Sequence, residues 1–572
     1  MLHKNCGWAL ACALFAPVQC ALAAVQIEAP PAVAELLRRY LLVAAQDIDS
    51  SDPLARANFL REARREAGNL LAAEGYFSPT LQLGAGLRPV LKVEPGERAH
   101  IASVRIEFSG AIAARASAQP ERMERLRKAW LLPAGAAFRQ LSWDEAKDAL
   151  LADLTSLDFP AAAYTLTRAE VDPAAASVEI LVEVDSGPAF RFGRTEIEGV
   201  KEYPAGLPQR YGSIAPGSRY SRERLLDLQR ALQNTPYFST ALVDIDTDPA
   251  QSEAATVHVR VVESTARHIS FGAGYSSNNG ARGEISYRQP NLFGRAWNLQ
   301  STLRLEMRHQ LAFTDVLLPP AAGGFRDGYG ALAESTDSNG LDTRRVKLGW
   351  LRTRTLGALE TSYGLSLQRE LHDVTDGDYT RRDALAANAS WTWRSVDNLL
   401  DPRSGQVINL QLGGGLKLLA SDQNFVRGYV RYQRYQPVGA RDTLMLRGEL
   451  GMTRAASSDG IPEEFLFRAG GTGSIRGYAY QSLGPREAGA VVGGRLLAIA
   501  SVEYVHWLQG DWGVAGFVDS GNAVDRRGDF VARTGYGVGL RWKSPAGPLA
   551  FDLAYSRHEQ KLRPHVAVAI AF

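Results

Sequence analysis

Apolar and polar positions follow two different periods along this chain, and the change comes near residue 264. Up to that point helical stretches alternate with short strands, and one arrangement recurs. Residues 55–74 run helically into Gly75-Tyr76-Phe77 and a strand at 80–83. Residues 143–155 run into Asp158-Phe159 and a strand at 164–166, and residues 222–233 into Pro236-Tyr237-Phe238 and a strand at 241–243. The phenylalanines at 77, 159 and 238 are spaced 82 and 79 residues apart. Each unit closes on a further strand (90–93, 178–184, 256–262), expected at a sheet edge, and new units open with strands at 101–108 and 190–197. Ser142 and Glu145 make the pattern of a capping box, and Leu225, Leu228 and Leu232 repeat at the spacing of one buried helix face. The recurring aromatic reads as packing of the helix onto its sheet. Together these features predict three units of about 80 residues, each β-α-α-β-β.

After residue 264 the period is two. Ile269, Phe271, Ala273 and Tyr275 share one strand face, with Ser270, Gly272 and Gly274 opposite. Leu299, Leu303, Leu305 and Met307 share another, against Gln300, Thr302, Arg304 and Glu306. Residues 425–436 alternate through Val426, Gly428, Val430, Tyr432 and Tyr435 with one slip. Val566, Val568, Ile570 and Phe572 alternate with Ala567, Ala569 and Ala571. Apolar residues on one face and small or polar ones on the other are what a lipid-facing strand requires. Lipid offers no hydrogen bonds, so a sheet that spans it must close on itself. At about 19 residues per strand and connection, residues 265–572 hold about sixteen strands, the least clear at 312–318 and 465–469.

Composition sharpens this division. Fourteen of the 54 glycines precede residue 265 and 40 follow it. All three cysteines (Cys6, Cys12, Cys20) fall in the first twenty residues, which excludes disulfide frameworks, cysteine-ligated metals and cysteine nucleophiles downstream. With 64 basic and 62 acidic residues, the net charge of +2 carries no nucleic-acid signature. Lys4, the apolar stretch behind it and Ala21-Leu22-Ala23 follow the order of a secretory signal peptide, so export is expected. The expected division is a signal peptide at 1–23, small domains at 24–95, 96–186 and 187–264, and a barrel at 265–572.

Two motifs name a family. Arg468-Ala469-Gly470-Gly471-Thr472-Gly473-Ser474-Ile475-Arg476-Gly477-Tyr478 is a glycine-dense loop ending in arginine and tyrosine. Gly516-Phe517-Val518-Asp519-Ser520-Gly521 follows on a strand. They resemble the V/I-R-G-F/Y loop and the G-x-F-x-D-x-G strand of the BamA/TamA-type outer-membrane assembly superfamily, with the strand motif one residue shorter here. Gly537-Val538-Gly539-Leu540-Arg541 and Asp552-Leu553-Ala554-Tyr555 resemble that superfamily's ending. Pro290-Asn291-Leu292-Phe293-Gly294 and Asp401-Pro402-Arg403-Ser404-Gly405 are weaker echoes, and Phe572 resembles a terminal barrel-assembly signal. The three small units resemble polypeptide-transport-associated (POTRA) domains. The resemblance implies a fold of three α+β POTRA repeats followed by an all-β, 16-stranded transmembrane antiparallel barrel.

Elementary chemistry says what these residues do together. Phe517 and Asp519 project from one strand face. If that face lines the interior, Asp519 pairs with Arg476, and Phe517 or Tyr478 stacks on its guanidinium. Ile475, Arg476, Gly477 and Tyr478 are therefore the candidate loop site, and Gly516, Phe517, Asp519 and Gly521 its partner on the wall. Closing the sheet requires the first strand (Ile269, Phe271, Gly272, Gly274) to pair with the last (Val566, Val568, Ile570, Phe572). Glycines weaken that seam, and an opened seam offers backbone groups to an incoming strand. A count of three POTRA units points to the TamA-type branch. That branch implies outer-membrane location with POTRA domains in the periplasm, autotransporter-type barrel clients, contact with lipid, and a TamB-like inner-membrane-anchored partner. An exporter pore for a secreted polypeptide, a lipid conduit and a purely structural anchor remain open. Nucleotide, metal and hydrolase signatures do not occur, so neither enzyme activity nor a cofactor is expected.

Overall fold

A computed structural model describes residues 25–45, 52–84, 89–114, 120–264, 267–276, 278–374, 377–508, 510–544 and 547–568. The expected signal peptide, Ile570 and Phe572 lie outside the described residues. The chain divides into two compact units. One runs to Glu196 and includes Ile214–Asp227 and Val243–His258; the other includes Ile197–Ser213, Leu228–Leu242 and everything from Val259 onward.

Three small sheets precede the large one. Their strands are Gln26–Glu28, Thr80–Leu83 and Val90–Glu94, then His100–Ser109, Ala163–Asp172 and Ser177–Asp185, then Phe192–Glu198, Phe238–Ile245 and Ala255–Glu263. In each, the closing strand lies in the middle, not at the edge as its sequence suggested. In the first two sheets it runs parallel to the first strand and antiparallel to the second. Flanked on both sides, it supplies the best-shielded side chains: Val178, Ile180, Val182 and Val184 are all buried.

The helices are Pro31–Tyr40 and Pro53–Ala73 in the first small domain, with Pro120–Lys128 and Gln140–Ser156 the longer ones in the second small domain. The third departs from β-α-α-β-β, since Arg222–Gln233 is its one α-helix. Residues 199–217 carry Pro204, Pro208, Pro216 and four glycines, and form no more than the 3-10 turn Pro208–Arg210. The capping box at Ser142 does not form either. The helix starts at Gln140, behind Arg139, because that phase buries Trp143, Ala146, Leu150 and Leu154 on one face.

The repeated corner does more than seat a helix. Gly75, at φ +91°, accepts through its carbonyl the Ala99 N–H at 2.9 Å, and Asp158, at φ +68°, accepts the Phe190 N–H at 2.8 Å. Tyr237 accepts the Ser264 N–H at 2.7 Å. In all three repeats, then, the corner carbonyl receives the chain as it leaves for the next domain. Charge reinforces two of these corners. Glu74 takes a bidentate pair from Arg139 at 2.9 Å. Buried Asp158 takes Arg122 at 2.8 Å and both Nε (2.9 Å) and Nη2 (2.5 Å) of Arg219. The Asp158 hydrogen bonds hold the Arg219 guanidinium above its ordinary pKa. Removing one partner of a buried pair costs about 3–5 kcal/mol. Asp158→Ala should therefore lower the urea midpoint of the intact protein and open the 157–160 corner to protease; unchanged unfolding would contradict this role.

The large sheet has sixteen antiparallel strands in chain order, from His268–Ser276 to Lys561–Val568. His309–Leu317 is one of them. Residues 465–469 are not: Glu463–Phe465 is a 3-10 turn within a long connection between Asp442–Ala455 and Leu496–Trp507. Phe465, Phe467 and Ala469 alternate like a strand but are buried by packing against the sheet, not by pairing in it. Alternation divides the faces as expected. Ile269, Phe271, Val346, Leu348, Val518 and Val538 are exposed on one face, while the other carries most of the charged side chains. The expected pairing of first with last strand is not found among the described residues. Pro564 lies in that last strand and brings no N–H, which suits a strand at a sheet edge.

Candidate functional site

The long connection at 456–495 folds back onto the charged face. Gly470, Gly471 and Gly477 take φ of +103°, +98° and +93°, a region that disfavours any side chain. The Gly471 N–H bonds the carbonyls of Ile475 (3.2 Å) and Tyr478 (3.1 Å), closing a tight turn. Arg447, from the wall, donates to the carbonyls of Gly473 (3.0 Å) and Ser474 (2.5 Å). Ile475 and Tyr478 are fully buried among Phe467, Leu497, Ile499 and Ala523.

This turn delivers Arg476 to three carboxylates. Its Nε donates to Asp519 Oδ2 at 2.7 Å, and its Nη2 to Oδ1 at 2.9 Å, the bidentate fork that fits a carboxylate. The Arg476 backbone N–H reaches the same Oδ2 at 3.0 Å, and the Ser501 hydroxyl donates to Oδ1 at 2.5 Å. Nη1 bridges Glu503 (2.5 Å) and Asp552 (3.1 Å). Arg541 also donates to both of these carboxylates. The guanidinium lies 3.5 Å from the Phe517 ring centroid. Arg476 is 6% exposed and Asp519 0%, so the charges are desolvated and depend on one another.

The wall is shaped to let the loop lie close. Gly535, Gly537 and Gly539 follow one another on the inner face of Arg533–Ser544, opposite Asp519, Phe517 and Ala515. A methyl at Gly535 would overlap the Arg476 carbonyl oxygen, and one at Gly537 would come within 2.7 Å of the Phe517 ring. The Gly477 N–H donates to His565 Nε2 on the last strand at 2.9 Å. Tyr478 does not stack on the arginine; its hydroxyl donates to the Thr534 carbonyl at 3.3 Å.

Of the residues expected at this site, Ile475, Arg476, Gly477, Tyr478, Phe517 and Asp519 come together. Gly521 follows on the same inner face, where a Cβ would crowd Ile499. Gly516 does not belong: it pairs with Tyr504 and Val538, and a Cβ there would meet nothing within 4 Å. Period two puts it on the outer face, one residue from Phe517. At the expected seam, Ile269, Phe271 and Val566 are exposed outward, Gly272 and Gly274 lie on the inner face, and Val568 ends the described strand. The fold adds Glu503, Arg541, Asp552, Arg447, Ser501 and His565 to the site. G-Y-G-V-G-L-R and D-L-A-Y hold Arg541 and Asp552, but neither segment by itself shows that its residue meets Arg476.

A model described as the Omp85 superfamily domain matches residues 265–565. The outer membrane protein assembly factor BamA of Nitratidesulfovibrio vulgaris is 27% identical over 397 residues, 64% of this chain. The chain spans about half (48%) of that curated relative's length. The crystal structure of BamA from Haemophilus ducreyi lacking POTRA domains 1–3 superposes with a TM-score of 0.66 at 18% identity, covering 82% of this chain and 98% of that one. CdiB from Escherichia coli gives 0.45 at 15% identity, covering 90% and 97%.

Proposed function

Because the chain belongs to the Omp85 superfamily, we propose that it is an outer-membrane assembly factor whose barrel accepts client strands at the edge between its first and last strands. The observation that carries this reading is the Arg476 turn, seated on Asp519, Glu503 and Asp552 and reaching His565 in the last strand. A loop held to the strand beside the seam couples its own position to that edge. Backbone donors and acceptors on an unpaired edge template an incoming strand. In the finer form of the proposal, the protein is TamA-like. Its three POTRA units sit in the periplasm and meet a TamB-like partner anchored in the inner membrane, and its clients are autotransporter-type barrels. Its role is non-enzymatic, and lipid around the barrel is its second contact.

Cysteine chemistry supplies the test, since no cysteine occurs after Cys20. Cysteine pairs placed in turn along His268–Ser276 and Lys561–Val568 are screened for one that oxidises across the seam, and failure of every pair to crosslink would count against the two strands meeting. That pair should stop client insertion under oxidising conditions and recover it with reductant. Full activity of the crosslinked protein would overturn the lateral route. Deletion separates the alternatives: loss of several surface autotransporters supports assembly, whereas loss of one secreted polypeptide supports an exporter pore.

A further inference from the structure

The Arg476 turn occupies one part of the long connection, and another charged contact occurs nearer its start. Glu464 accepts Lys347 Nζ at 3.1 and 3.0 Å and Arg345 Nη1 at 2.9 Å, both from Leu341–Leu356. Its neighbour Glu463 accepts Arg382 Nη1 at 3.3 Å from Thr380–Val396, and the Gly493 N–H at 3.0 Å from the far side of the same connection. Arg382 also donates to the Ile461 carbonyl at 2.9 Å. The flanking apolar residues Ile461, Phe465 and Leu466 are buried against Ala384, Ala386 and Phe425. None of these residues touches the Arg476 carboxylates.

The two contacts have opposite polarity and different walls. At one, the loop brings a cation to acidic strands, the twelfth, thirteenth and fifteenth of the sheet. At the other it brings two anions to basic strands, the sixth and eighth. Reversing the loop's seating would set like charges together at both, which fixes its direction as well as its place. A chain tied to both walls lies across the interior between them. A cavity of about 530 Å³ borders Lys347, and one of about 560 Å³ borders Arg476 and Arg447.

We propose that Glu463 and Glu464 are positioning residues forming a second anchor of the loop, and that this anchor holds the barrel interior closed to small solutes. This concerns permeability, so it is independent of which clients the protein handles. The test uses the purified full-length chain in planar lipid bilayers, with heat-modifiable gel mobility as the check of folding. Glu464→Lys sets a cation against Arg345 and Lys347; it should raise conductance several-fold and expose Arg468 to trypsin. The double variant Glu464→Lys with Lys347→Glu should restore low conductance and trypsin resistance. Folded Glu464→Lys with wild-type conductance would overturn the proposal. So would a rise that the double variant fails to reverse, because lost packing and not charge would then be responsible. If Glu464→Lys does not fold, Glu464→Gln decides by the same two readouts, with unchanged conductance counting against the anchor.

Discussion

Arg476→Ala should abolish client assembly and loosen the barrel at the same time. The side chain is desolvated and satisfies Asp519 bidentately while bridging Glu503 and Asp552. Without it, Glu503 and Asp552 keep the Arg541 guanidinium, whereas buried Asp519 loses its arginine fork and keeps the Ser501 hydroxyl and the backbone N–H of residue 476. Breaking a buried pair in this way costs about 3–5 kcal/mol, most of it from the charges left behind. The stacking on Phe517, at 3.5 Å, is lost as well. Arg476→Lys is the informative intermediate. A lysine keeps the charge but not the planar fork, so it should recover part of the stability and little of the function. Complementation of a deletion strain measures the first effect, and protease resistance of 467–485 with the unfolding midpoint measures the second. A fully complementing Arg476→Ala with an intact, resistant loop would remove the turn from the mechanism.

Adding one methyl at Gly535 should displace the same loop with no change of charge. Its Cβ would overlap the carbonyl oxygen of Arg476, a backbone atom that cannot rotate aside as a side chain would. Strain of this kind costs about 1–3 kcal/mol in packed interiors. Here it acts directly on the residue that carries the site, so Gly535→Ala should reduce assembly strongly. Gly516→Ala is the matched control, because its Cβ enters open space on the outer face. It should change stability by no more than about 0.5 kcal/mol and leave assembly intact. The pair of variants, measured by complementation and unfolding midpoint, separates close approach from general glycine content. Equal behaviour of the two would mean that the glycine strip does not seat the loop.

The strand faces were legible because alternation at residues such as Ile269, Phe271 and Val566 is local and records which side is apolar. The Arg476–Asp519 pair was legible because both residues sit in motifs whose chemistry is complementary. Glu503 and Asp552 were not, since they lie on separate strands and meet Arg476 through cross-strand pairing, which no single segment encodes. Glu463 and Glu464 stand in no motif, and the fold alone sets them beside Arg345, Lys347 and Arg382.

By itself, the sequence determined the period of each region, the repeated corner and the glycine-dense turn, because each follows from neighbours along the chain. The tertiary structure alone decided which strand is central, that Gly516 faces outward, that Ser142 caps nothing, and which walls receive the loop. Those outcomes depend on what packs against a residue from elsewhere in the chain. Burial against a distant partner leaves the same local pattern whichever partner it is.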